Sequence, residues 1–185
     1  GAGGIGPGVR VGDVVVASSF VQHDMNASPL FPLYEVPLYG RREFACHAGL
    51  SDRLWKAAAS VATLGPEGEA TAPVIHRGLI VSGDRFVATA AESSRLVSDL
   101  LEAGLVPLAV EMEGAAVAQV CHDYEVAFAA VRTISDRADD QAHADFSQFV
   151  KAVASPYALA MMRCLMPLLK EAAASADTRP ASLVS

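Results

Sequence analysis

Two short segments constrain this chain more than any others. Val110-Glu111-Met112-Glu113-Gly114-Ala115-Ala116 sets two carboxylates where a short apolar run, Pro107 to Val110, gives way to a helical pattern. Val131-Arg132-Thr133-Ile134-Ser135-Asp136 sets an arginine and a further carboxylate where the next apolar run, Val126 to Ile134, gives out. Short apolar runs alternating with helical stretches predict an α/β fold with a sheet flanked by helices. Carboxylates at the ends of neighbouring strands are expensive as packing and useful as chemistry. In open α/β sheets, ligands sit beyond the carboxyl ends of the strands, so these two turning points are the expected site.

The rest of the chain fits the same alternation. Asp13 to Val21 is rich in β-branched residues and reads as a strand. Ser28 to Gly40 carries three prolines and reads as an ordered irregular segment. Ser51 to Leu64 reads as a helix with Ser51 as its N-cap and an apolar face of Leu54, Trp55, Ala58, Val61 and Ala62. Pro73 to Ser82 reads as a strand ending at Gly83-Asp84, and Ala91 to Ala103 as a helix ending at Gly104. A strand to Val110, a helix from Glu113 to Tyr124, a strand from Val126 and a long amphipathic helix from Asp145 to Ala172 complete the order. Residues 1–174 are expected to form one domain without repeats, and 175–185 a polar, disordered tail.

Charge and cysteine content narrow the classes of function. A net charge of −7 supplies no basic stripe to neutralise phosphates, which argues against a nucleic-acid partner. No apolar run is long enough to span a bilayer, and nothing resembles a signal peptide. Cys46, Cys121 and Cys164 are odd in number and widely spaced, which suits buried thiols in the reducing cytoplasm better than disulfides or zinc. His23, His122 and His143 are not spaced as metal ligands, so no metal is expected. His23-Asp24 reads as a structural hydrogen-bonded pair, and Cys121-His122 point apart on a helix.

Gly1-Ala2-Gly3-Gly4-Ile5-Gly6 matches the G-x-G-x-x-G dinucleotide pattern, yet no strand precedes it and Gly12-Asp13 leads into a strand. The fingerprint needs strand, turn and helix in that order. A glycine loop bringing backbone N–H groups near a small ligand is the better reading. The other candidates have plain readings too. Glu111 and Glu113 are favourable charges at a helix start, worth about 0.3–1 kcal/mol, and Glu111 reads as structural. Asp136 or Ser135 caps a turn, Phe86 and Phe146 are core aromatics, and Arg132 makes an ordinary ion pair worth ~0–1 kcal/mol.

Taken in order, Ala2-Gly3-Gly4, Val11-Gly12-Asp13-Val14-Val15-Val16, His23-Asp24, Gly78-Leu79-Ile80-Val81-Ser82-Gly83-Asp84, Phe86, Val110-Glu111-Met112-Glu113, Val120-Cys121-His122, Val131-Arg132, Ile134-Ser135-Asp136, Asp139 and Phe146 resemble one family. The chain is similar, over about residues 2–170, to the 5′-methylthioadenosine/S-adenosylhomocysteine nucleosidases of the purine nucleoside phosphorylase superfamily. The resemblance implies a three-layer phosphorylase/hydrolase-like fold with a twisted mixed sheet. It implies hydrolysis of the N-glycosidic bond of both nucleosides, without metal or organic cofactor.

Asp136 would be the acid that protonates purine N7, a role that desolvation in a closed pocket favours. Glu113 would hold the ribose hydroxyls and stabilise positive charge on the sugar. Met112 would pack on the ribose and Phe86 on the base, with the Val87 backbone reading the adenine edge. Arg132 would orient a carboxylate or the attacking water, Phe146 would close the pocket near the 5′ substituent, and Gly3 and Ser135 would line it. Phe31 and Pro37 would reach into a partner's pocket, implying a homodimer.

The resemblance also implies an amino-terminal segment carrying the first strands and a water-activating glutamate, whereas Gly1 aligns in mid-fold. The expectation is that these strands are absent from this chain, slowing water attack by roughly 10²–10⁴ and exposing sheet edges. Two alternatives stay open: a phosphate-dependent nucleoside phosphorylase, and a non-catalytic nucleoside-binding fragment.

Overall fold

The computed structural model describes residues 1–63, 72–139, 149 and 153–177. Six strands and four α-helices follow one another: β1 (Ala2–Gly4), β2 (Val14–Gln22), β3 (Glu43–Ala45), α1 (Ala48–Ala58) running into a 3-10 turn (Ala59–Thr63), β4 (Ile75–Ser82), α2 (Ala90–Glu102), β5 (Pro107–Glu111), α3 (Gly114–Asp123), β6 (Val131–Asp136) and α4 (Ser155–Asp177). The sheet order is β3-β2-β4-β5-β1-β6. β2, β4 and β5 run parallel, while β1 is antiparallel to β5 and parallel to β6. Val14–Val16 of β2 also pair antiparallel with Val131–Thr133 of β6. The mixed, helix-flanked sheet expected from the sequence is present, and this last pairing closes it on itself.

Closure explains the burial pattern. Val14, Val15, Val16, Ala17, Phe20 and Val21 are all sealed from solvent on both faces of β2, as a strand with partners on both sides and helices outside requires. α1 and α4 cover one side through Leu54, Ala57, Val61, Tyr157, Met161 and Leu165 around Val14 and Val16. α2 covers another through Leu100 against Leu79, Val81 and Val110. Fully burying one such aliphatic side chain contributes ~1.5–3 kcal/mol.

Several sequence expectations need correction. The glycine-rich opening is not a ligand-cradling loop: Ala2–Gly4 is a buried strand inserted between β5 and β6. The two acidic turning points therefore lie on strands separated by β1, not on neighbours. The α1 helix starts earlier than Ser51, because His47 is the N-cap and its Nδ1 accepts from Leu50 N at 3.2 Å. Ser51 sits in the first turn, buried, donating to the Ala17 carbonyl. Trp55 is not on the apolar face but lies beneath the Arg77 guanidinium at 5.1 Å. β6 begins at Val131 rather than Val126, and α4 continues past Ala172 to Asp177, taking residues 175–177 out of the expected tail. The expected start of that last helix at Asp145 lies outside the described residues. The buried thiols expected of the cysteines are not found: Cys46 and Cys121 are only half-buried and Cys164 is exposed.

Candidate active site

Strand register brings the site together. Gly3 of β1 pairs with Val110 of β5 on one side and Asp136 of β6 on the other. A Cβ on Gly3 would meet the Ala138 Cβ at 2.8 Å and Asp136 Oδ1 at 3.0 Å. The missing side chain is thus what lets the Asp136 carboxyl lie over β1. Asp136 is 1% exposed. Its Oδ1 accepts from Ala138 N and its Oδ2 from the Ser135 hydroxyl, each at 2.8 Å. Ala138, fully buried at φ 50°, is held in a left-handed conformation that non-glycine residues rarely adopt. The turn-capping reading of Asp136 is correct for one oxygen, and it fixes the direction of the other.

On the facing strand end, Glu111 and Glu113 divide the work. Glu111 is buried, and both its oxygens accept from Gly114 N, at 2.9 and 3.0 Å. It also accepts from the Ser82 hydroxyl, and Arg132 reaches its Oε2 through Nε at 3.1 Å and Nη2 at 2.6 Å. Ser82 Oγ in turn accepts from Ala115 N at 2.8 Å. Burial alone would raise the Glu111 pKa, but the Ser82 hydrogen bond and Arg132 outweigh it and hold the carboxyl below its ordinary value. Glu113 is the N-cap residue of α3, yet its side chain makes no capping bond and is exposed to the cavity.

These residues line a cavity of about 320 Å³ together with Gly1, Ala2, Arg85, Phe86, Val87, Met112 and Ser135. Of the sequence-predicted set, Asp136, Glu113, Met112, Phe86, Val87, Ser135 and Gly3 converge here. Phe86, at 37% exposure, faces the cavity rather than the core. Arg132 does not line it: spent on Glu111, it opens onto a neighbouring hollow of about 300 Å³ with Leu54 and Met161. Phe31 and Pro37 are half-buried on the Ser28–Gly40 segment and line no part of the cavity within this chain. Phe146 lies outside the described residues.

Sequence reasoning missed Ser82 and Arg85, and undervalued Glu111. Their signal was there: Ser82 ends an apolar run just before Gly83, as Glu111 ends the next. Among the described residues no cluster of His, Cys, Asp or Glu could hold a metal ion, and no helix is long and apolar enough to cross a membrane.

A mixed closed sheet carrying buried and cavity-facing carboxylates around one register row is the architecture of a particular class. The Phosphorylase superfamily matches over residues 1–169, and the chain belongs to it. Among solved structures, it is similar to the 5′-methylthioadenosine/S-adenosylhomocysteine nucleosidase of Neisseria meningitidis in complex with methylthio-immucillin-A, at 32% identity over 89% of this chain with a TM-score of 0.75. It is also similar to a mutant of the Helicobacter pylori nucleosidase with 5′-methylthioadenosine in the active site (29% identity, 90% of this chain, TM-score 0.71). The S-adenosylhomocysteine nucleosidase of Streptococcus pyogenes is comparable (30%, 90%, TM-score 0.72). The chain spans 65% of the length of each of these three.

Proposed function

We propose that this chain cleaves the N-glycosidic bond of 5′-methylthioadenosine and S-adenosylhomocysteine with water, releasing adenine and a 5-thio-substituted ribose. The observation that carries the reading is the pairing, in one cavity, of a solvent-excluded carboxyl, Asp136, with a cavity-facing one, Glu113. Cleavage of a nucleoside needs a proton for the departing base and negative charge near the developing oxocarbenium ion. Asp136, its direction fixed by Ser135 and Ala138 N, hands a proton to purine N7, so that adenine leaves neutral. Glu113, free of a capping bond, accepts from the ribose hydroxyls and stabilises the sugar cation.

Met112 supports the ribose, Phe86 stacks on the base, and the Val87 backbone reads its edge, all three lining the same cavity. Arg132 is a positioning residue: it holds Glu111, which holds the start of α3 and with it Glu113. The enzyme works as a cytoplasmic homodimer in which Phe31 and Pro37 complete the partner's pocket. The exposed Leu30, Leu33 and Leu38 beside those residues support that assembly.

The test is release of adenine from 5′-methylthioadenosine by the purified chain, with and without phosphate. Release that ignores phosphate is the expected result. Release only with phosphate would make it a phosphorylase, and nucleoside binding without release would make it a binding fragment.

A further inference from the structure

We propose that His23 and Asp24, which follow β2, are positioning residues that seat the base-side loop Gly83–Val87. The inference rests on the nucleosidase reading for what the loop binds, but the seating itself is visible in the fold. His23 N donates to the Ser82 carbonyl at 2.8 Å, tying β2 to the end of β4. One residue on, Asp24 Oδ2 accepts from Asp84 N at 2.7 Å, closing the first turn of the loop. Between these two bonds the His23 ring packs against Gly83. A Cβ built there would come within 2.3 Å of Nε2 and 2.5 Å of Cε1, so the glycine is demanded by the imidazole rather than by a positive φ.

His23 Nε2 is buried without a hydrogen-bond partner among the described residues. Such an atom ordinarily costs about 1–3 kcal/mol and calls for an explanation. Burial lowers the imidazole below its ordinary 6.5 despite the pull of Asp24, so the ring is neutral at pH 7. A neutral ring packed against a backbone turn explains the burial. From that support the chain runs directly through Arg85 to Phe86 and Val87, the base-side wall of the cavity. On the far side Arg85 Nη2 pairs with Glu92 Oε1 at 2.9 Å, and Thr89 caps α2, so the loop is anchored at both ends. Gly83 N also donates to the Glu111 carbonyl at 3.1 Å and so touches the strand that leads into Met112 and Glu113, whereas among the described residues no hydrogen bond joins Asp24 or Asp84 to either of them. Asp24 is therefore placed to affect recognition of the base and not of the sugar.

Calorimetric titration of the full chain with adenine, and separately with 5-methylthioribose, separates the possibilities. Asp24→Ala is expected to weaken adenine binding roughly three- to tenfold, the worth of one solvent-exposed hydrogen bond. Methylthioribose affinity should stay within about twofold in this variant, whereas Gly83→Ala, which also disturbs the bond to the Glu111 carbonyl, should weaken both ligands. Asp24→Asn, which keeps an acceptor oxygen for Asp84 N, should restore adenine affinity, whereas a purely structural loss would move both ligands together. Equal weakening of both ligands by Asp24→Ala, or unchanged adenine affinity in that variant, would overturn the inference while leaving the nucleosidase reading intact. Failure of the unaltered chain to bind adenine would remove that reading, and the inference with it.

Discussion

Glu111 shows how much one carboxylate carries when it is buried and fully partnered. It satisfies the first N–H of α3, takes the Ser82 hydroxyl and neutralises Arg132, so its charged form is favoured in the folded state. Because the folded pKa is depressed, this stabilisation is fully present above the unfolded value of 4.5 and is lost as pH falls through the lowered folded value. Glu111→Gln should destabilise the chain by about 1–3 kcal/mol at pH 7 by leaving buried donors poorly matched. Urea melts from pH 7 to pH 3 should show the gap between variant and parent narrowing at the acid end, and a pH-independent gap would contradict the assignment.

The sequence made these carboxylates conspicuous because charges next to apolar runs are costly. The resemblance gave Glu113 to the ribose and the sequence left Glu111 structural, but neither showed the bonds that hold the two apart. That division depends on Ser82 and Arg132, which come from strands 29 and 21 residues away.

At the scale of elements, α3 depends on the absence of a side chain at its first residue. A Cβ on Gly114 would overlap the Phe20 ring, which is fully buried on β2 and packs on Phe128 at 5.7 Å. Alanine gains up to about 1 kcal/mol over glycine in a helix interior, but overpacking a closed core costs about 1–3 kcal/mol. Here the clash wins, since Phe20 has no free space to yield into. Gly114→Ala should lower the urea midpoint despite its better helix propensity; an unchanged or raised midpoint would show that the helix start can shift.

The long elements were readable from hydrophobic period alone: β2, β4, α2 and α3 fall within one or two residues of expectation. The short strands were not. Ala2–Gly4 has too few side chains to show an alternation, and Glu43–Ala45 is marked only by its pairing with β2. Glycine at positions 3 and 4 suggested a loop, whereas it serves close packing against Asp136, Ile134 and Val9.

At the scale of the whole molecule, closure of the sheet through β2 and β6 could not be inferred from any local pattern, because it depends on a pairing 117 residues apart between Val15 and Arg132. Nor could assembly. Leu30 and Leu38 are 85% and 93% exposed on the Ser28–Gly40 segment, with Val117, Val120 and Tyr124 of the α3 region also exposed. Tyr39 bonds Asp123 at 2.8 Å, joining segment and helix into one face. Light scattering should therefore give twice the chain mass, and Leu38→Asp should shift it toward the monomer with the fold retained; a monomeric parent would remove the homodimer from the account.

The central claim is that the cavity around Asp136 performs proton-assisted loss of adenine. Asp136→Asn preserves the shape and the acceptor for Ala138 N but cannot deliver the proton. Single-turnover adenine release from 5′-methylthioadenosine should fall by roughly 10²–10⁴ in this variant, with nucleoside affinity changed only a few-fold. Release at the parental rate from a variant that still binds would contradict the account.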